Sequence, residues 1–201
     1  MKISKSLPVL VTGATGYIAG WVVKNLLDEG ITVHAPIRDL ANTQKRIHLD
    51  KLAEDSSGEI KYFESDLMIE DSYKEAMKGC ELVIHIASPF VMDSKDPQKE
   101  VIEPALKGTQ NVLKTVNETK SIKRVVLTSS VAAIYGNGID GQSVEGGTFN
   151  ESMWNTTSTS TDGEYSYSKT VAEKEAWKIC EEQKRWDLVV INPGFVLGPS
   201  L

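Results

Sequence analysis

Short apolar runs rich in Val and Ile alternate along the chain with longer stretches whose apolar positions recur every three or four residues. The short runs are residues 7–12, 31–37, 60–64, 82–87, 125–129 and 188–192. They are nearly continuous rather than alternating, as strands must be when helices cover both faces of their sheet. Residues 17–29, 42–53, 71–78, 97–119 and 165–183 have helical spacing, and Gly30 and Gly79 stand where two of these helices should stop. Strand and helix alternating in this order predict an α/β fold, one doubly wound parallel sheet with right-handed crossovers. The chain carries no internal repeat. Residues 155–163 contain no apolar anchor and read as a flexible loop.

Composition narrows the classes. The chain has 201 residues, 40% of them hydrophobic, enough for one domain with a full core. A net charge of -6 argues against a nucleic-acid partner, which would need clustered Lys and Arg. Cys80 and Cys180 form no disulfide framework and suit a reducing compartment. No apolar run nears the roughly 20 residues that span a bilayer. The expectation is therefore a soluble cytoplasmic protein without a membrane partner, either a monomer or a homodimer. His34, His48 and His85 are not spaced as metal ligands, and His85 falls in a buried run where a satisfied core histidine is expected. After residue 192 the sequence Asn192-Pro193-Gly194 looks like a strand leading into further chain. Residues 1–201 thus read as one nucleotide-binding domain, with a smaller C-terminal substrate domain expected beyond them.

The first strand runs into Gly13-Ala14-Thr15-Gly16-Tyr17-Ile18-Ala19. Glycines can simply make a tight turn, but here a strand precedes and a helix follows. In a Rossmann dinucleotide unit Gly13 permits the turn, Gly16 lets the backbone approach a pyrophosphate, and Ala19 leaves room between helix and strand. Backbone N–H groups from Thr15 to Ile18 would then face the phosphates. An NAD site places Asp or Glu at the end of the second strand, to bond the ribose 2′-hydroxyl. Here Ile37 and Arg38 stand there, with Lys45 a little further on. Cations without a carboxylate suit a 2′-phosphate, so the expected cofactor is NADP(H). Asp39 is expected to cap the following helix. Asp66 and Leu67 are placed to meet the adenine, although an Asp after a strand is usually a turn or a cap. Ile86, Ala87 and Ser88 are placed to line the cofactor's path.

Carbonyl reduction needs a hydride from the cofactor and a proton for the developing alkoxide. A phenol of ordinary pKa, about 10, gives up its proton poorly near neutrality unless a cation stands beside it. Tyr165 and Lys169 are one helical turn apart, whereas Tyr167 has Val171 at the same spacing. Ser130 would hold the substrate oxygen, and Ser129, one strand position away, is its rival.

Taken together these blocks resemble the extended short-chain dehydrogenases/reductases, a group within the NAD-dependent epimerase/dehydratase superfamily. Within it they are similar to the dihydroflavonol reductase-like enzymes and the yeast-type aldehyde (methylglyoxal) reductases. The resemblance is carried by the turn from Val11 to Ile18, by His85-Ile86-Ala87-Ser88-Pro89-Phe90, and by Arg124 through Ser130. Phe149-Asn150-Glu151-Ser152, Tyr165 with Ser168-Lys169, and Asn192-Pro193 with Val196 and Gly198-Pro199 complete it. It implies Ser130, Tyr165 and Lys169 as the catalytic trio, Arg38 and Lys45 on the 2′-phosphate, and Pro193 to Val196 beside the nicotinamide. The activity implied is NADPH-dependent reduction of a small-molecule aldehyde or ketone. Tyr135 stands where plant dihydroflavonol reductases carry an asparagine that meets the flavonoid, which argues against a flavonoid substrate. The alternatives are an NAD-dependent sugar-nucleotide epimerase or dehydratase, disfavoured by Ile37-Arg38, and a non-catalytic NADP-sensing protein, disfavoured by the Tyr/Lys pair.

Overall fold

The six apolar runs form six parallel strands in a computed structural model that describes residues 4–88 and 94–201. They are β1 (Val9–Thr12), β2 (Thr32–Ile37), β3 (Glu59–Glu64), β4 (Leu82–His85), β5 (Arg124–Thr128) and β6 (Asp187–Ile191). Their order in the sheet is β3-β2-β1-β4-β5-β6. The connections reverse direction between β1 and β4, the place where doubly wound sheets open a ligand crevice at their strand ends.

Helices cover both faces. Leu27 of α1 (Tyr17–Asp28) and Leu49 of α2 (Ile47–Glu54) pack with Val9, Val11 and Val33 on one side. On the other, Leu10, Val83 and Val125 meet Met77 of α3 (Lys74–Met77), Val112 of α4 (Glu103–Glu118) and Ala176 of α5 (Glu164–Glu181). Gly30 and Gly79 end their helices with φ of 73° and 78°, values that a side chain would strain. The Arg185 guanidinium donates to the carbonyls of Val116, Asn117, Thr119 and Ile122, closing the C-terminus of α4 just before β6.

Several boundaries differ from the sequence expectation, each for a local reason. The helix expected over 42–53 begins as a 3₁₀ turn, Thr43–Arg46, and becomes α-helical only at Ile47. Of 71–78 only Lys74–Met77 is helical, because Asp71 takes a left-handed conformation (φ 64°). The helix expected from residue 97 opens as a widened π turn, Gln98–Ile102. Pro104, in the first turn of α4, has no N–H, and its ring would clash with the Glu100 carbonyl in α geometry. β4 stops at His85 rather than at 87, because the next two amides bond a side chain instead of a strand.

The loop over 155–163 is held by polar bonds, not left flexible. Asn155 is 5% exposed; its Nδ2 donates to Ala132 O and Ser158 Oγ, and its Oδ1 accepts from the amides of Thr157 and Ser158. Gly136 fits against this loop because a Cβ there would lie 2.4 Å from Thr157 Oγ1. Pro89 and Phe90, the end of the block that begins at His85, lie outside the described residues.

Candidate active site

Thr12, at the end of β1, ties the crevice together. Its Oγ1 accepts from the amides of Ile86 and Ala87, both at 3.0 Å, and lies 2.7 Å from His85 Nδ1. A hydroxyl has two acceptor positions and one proton. With both acceptors filled, the proton goes to Nδ1, which makes His85 the neutral Nε2–H tautomer. Burial, and after it the positive charge of Lys169, pushes the His85 pKa down to about 4. This is a buried core histidine bonded through Nδ1, at the strand position where the sequence places it. Among the described residues no group of His, Cys, Asp and Glu could hold a metal ion.

The glycine turn follows directly. Gly13 has φ 68°, and a Cβ there would lie 3.0 Å from Ala87 Cα. Gly16 N donates to Gly13 O at 2.8 Å, closing the turn, and Gly16 then serves as N-cap of α1 without a side-chain cap. No acidic residue occupies the first turn of α1. The first amides of that helix, at Tyr17 and Ile18, therefore have no intrahelical acceptor and no carboxylate within their own turn, and Thr15 is half-buried beside them. Such a cradle fits a dinucleotide pyrophosphate. Gly13→Ala should cost about 1–3 kcal/mol from the left-handed backbone alone. An unchanged chemical-denaturation midpoint would contradict this account of the turn.

Beyond β2, Arg38 and Lys45 are both exposed, and neither joins an ion pair among the described residues. Asp39 does not cap the following helix, which starts after Asn42 without a side-chain cap; it accepts from Ala41 N at 2.9 Å in a local turn, and it forms no ion pair with Arg38. Asp66 Oδ1 accepts from Met68 N at 2.7 Å, so one oxygen serves its own turn. Leu67 packs on Gly108, and its carbonyl accepts from Asn111 Nδ2 at 2.7 Å. Half-buried Ile86, Ala87 and Ser88 line the opposite side of the glycine turn.

Tyr165 and Lys169 stand on the first turns of α5. Lys169 is 7% exposed, and its ammonium lies 5.5 Å from the centroid of the Tyr165 ring. Burial pushes its pKa from 10.5 down to about 8, and no carboxylate among the described residues pairs with it. The two serines separate clearly. Ser129 Oγ is buried with no hydrogen-bond partner among the described residues. Ser130 caps the 3₁₀ turn Val131–Ala133, its Oγ accepting from Ala132 N at 3.2 Å, which leaves its own proton free to donate.

Past β6, Pro193 O accepts from Val131 N at 3.0 Å, placing Pro193 beside Ser130, while Val196 is 44% exposed. A hollow of about 370 Å³ opens beside the turn that follows Ser130, lined by Ile134, Tyr135, Phe149, Met153 and Trp154 among others. Tyr135 and Phe149 stack there with ring centroids 4.4 Å apart. A second hollow of about 420 Å³, lined by Gln110, Lys114 and Glu182, lies on the outer faces of α4 and α5, away from this chemistry.

A crossover crevice with a glycine cradle, two exposed cations beyond β2 and a buried lysine beside a tyrosine define a dinucleotide-dependent α/β protein. The chain belongs to the NAD dependent epimerase/dehydratase family, whose pattern matches residues 9–200. Its relatives include a cinnamoyl-CoA reductase of Medicago truncatula, 43% identical over 96% of this chain and 59% of that protein. An anthocyanidin reductase of Arabidopsis thaliana is 39% identical over 95% of this chain and 56% of its own length. Among solved structures, yeast methylglyoxal/isovaleraldehyde reductase Gre2 complexed with NADPH superposes with a TM-score of 0.82 at 28% identity, covering 97% of this chain and 60% of that one. The Gre2–NADPH complex from Candida albicans gives 0.80 at 32% identity, over 96% and 59% of the two chains. The chain thus spans 56–60% of the length of these relatives.

Two further residues of this site fall outside the catalytic and cofactor residues that the sequence pattern picks out. Thr12 reads as the end of a strand, and Glu173 as part of a helix. Glu173 sits four residues after Lys169 on the same helical stripe, a spacing that could have singled it out.

Proposed function

We propose that this chain is the nucleotide-binding and catalytic part of an NADPH-dependent reductase that converts an aldehyde or ketone to the alcohol. The observation that carries this reading is the buried Lys169 ammonium, set against the Tyr165 ring and without a carboxylate partner among the described residues. A cation is costly to bury, and one that no carboxylate neutralises is kept where its charge serves a ligand or a reaction.

NADPH, when bound, supplies the hydride. Gly13, Gly16 and the first amides of α1 would hold its pyrophosphate, Arg38 and Lys45 its 2′-phosphate, and Asp66 and Leu67 would border its adenine. Ile86, Ala87, Ser88, Pro193 and Val196 would line its path to the reacting end. Ser130, whose own proton is free, donates a hydrogen bond to the substrate oxygen and holds it for Tyr165. Tyr165 gives its phenolic proton to the developing alkoxide, and Lys169 stabilises the negative charge left on the phenol oxygen. The hollow beside Tyr135 and Phe149, whose wall also carries Asp140, Glu145 and Thr157, offers room for the rest of the carbonyl compound. We also place the remaining wall of the substrate pocket in residues beyond 201, next to the exposed side chains of Phe195 and Leu197 (92% and 79%).

Oxidation of NADPH by the full-length protein against a panel of aldehydes, diketones and flavanonols tests the activity directly. Cofactor choice is tested by Arg38→Ala. A charge-assisted bond to phosphate contributes about 1.5–3 kcal/mol, so NADPH should bind about tenfold or more weaker while NADH binding changes little. Equal losses for both cofactors by calorimetry would refute the assignment of Arg38.

A further inference from the structure

Glu173 is a carboxylate only 5% exposed, and no cation among the described residues pairs with it. Both of its oxygens are taken by side-chain N–H donors. Oε1 accepts from Trp177 Nε1 at 3.3 Å and Oε2 from Asn192 Nδ2 at 2.8 Å. The same Asn192 nitrogen donates to Ser130 O at 3.1 Å. Both neighbours are acceptors, so the nitrogen of the Asn192 amide must face them and both of its hydrogens are used.

The chain of bonds from Glu173 through Asn192 to Ser130 joins three elements. Glu173 lies on α5, one turn beyond Lys169 and two beyond Tyr165. Asn192 follows β6, and Ser130 follows β5. Ser130 O also accepts from Ala133 N at 2.9 Å, the bond that starts the 3₁₀ turn whose cap is the Ser130 hydroxyl. A bond at that carbonyl therefore fixes the backbone torsion from which the hydroxyl projects. The geometry points to Glu173 as a positioning residue: through Asn192 it holds the Ser130 hydroxyl in one frame with Tyr165 and Lys169. A tie between helix and sheet needs only apolar contact, and this fold has that in Ala176 against the core. A buried carboxylate whose two oxygens are both committed adds direction, which apolar contact does not supply. The inference rests on the reductase reading for its kinetic consequence, but the clamp itself is a property of the ligand-free protein.

Full-length Glu173→Met and Glu173→Gln proteins, compared with wild type and Tyr165→Phe, test it by steady-state kinetics, NADPH titration and hydrogen–deuterium exchange. Misplacement of the serine should lower kcat of the Met variant by about 10- to 100-fold, with KM and NADPH affinity near wild type. Exchange should rise at residues 129–133 and stay unchanged over the rest of α5. The Gln variant, whose amide oxygen can still accept from Asn192, should recover most of the lost kcat. A Met variant with wild-type kcat and unchanged exchange at 129–133 overturns the clamp, and so does exchange raised throughout α5, which marks general loosening. If wild type reduces no carbonyl, or Tyr165→Phe remains fully active, it is the reductase reading that fails. Exchange at 129–133 in the ligand-free Met variant then decides the clamp alone: raised exchange there supports it and unchanged exchange overturns it.

Discussion

Tyr165→Phe is expected to slow carbonyl reduction by about 10²–10⁴-fold, the usual contribution of a positioned proton donor, with NADPH binding near wild type. The substitution removes one hydroxyl and keeps the ring, so the contact between that ring and the Lys169 ammonium, at 5.5 Å, is retained. Tyr167→Phe is the control. Tyr167 is equally half-buried and lies on the same helical turn, but the residue four further along is Val171 and offers it no cation. Single-turnover kinetics with saturating NADPH separate the two. A dead Tyr167 variant beside an active Tyr165 variant would move the proton donor by two residues and refute the assignment.

Lys169→Met should abolish the same activity and yet make the cofactor-free protein more stable. Burial pushes the Lys169 pKa from 10.5 in the unfolded chain to about 8 in the folded protein. That gap corresponds to about 3 kcal/mol. Below pH 8 the lysine is charged in both states, and the folded state bears the whole cost of burying the charge. Between about 8 and 10.5 the folded protein has released the proton while the unfolded chain still holds it, so stability rises with pH across this window. The Met variant bears no such cost. At pH 7 its melting temperature should exceed that of wild type by about 6–12 °C for a chain of this size, and the gap should close as pH passes 8 towards 10.5. A Met variant that melts below wild type at pH 7 would mean that Lys169 is held by interactions stronger than its burial penalty.

Much of this site is legible in the amino-acid sequence, because its residues announce themselves by order and spacing. The six strands fall within two residues of their runs, since Val and Ile mark a strand covered on both faces. Gly13, Gly30 and Gly79 all need positive φ. What escapes the sequence depends on partners distant along it. Nothing in a residue pattern says that the Thr12 hydroxyl will meet two amides and a histidine more than 70 positions away. The bond between Glu173 and Asn192 crosses from a helix to a strand end. The threonine-rich loop misleads because apolar pattern alone cannot register Asn155, a buried amide whose polar groups are bonded to the loop's own backbone and to Ala132. Pro104 and Asp71 alter local helix geometry through a missing N–H and a left-handed residue, both invisible to hydrophobic spacing.

The Thr12 cluster also sets an order of events in biosynthesis. Thr12, Gly13, His85, Ile86 and Ala87, which bond or pack at the glycine cradle, all precede Ser88 in the chain. The four strands β3-β2-β1-β4 are contiguous in the sheet and come from the same stretch. Lys169 follows Ser88 by 81 residues (169 − 88). At about 5–20 residues per second, a ribosome takes about 4–16 s to add them. The proposed phosphate cradle is thus encoded in the nascent chain seconds before Tyr165 and Lys169, the proposed proton donor and its cation, have been synthesised.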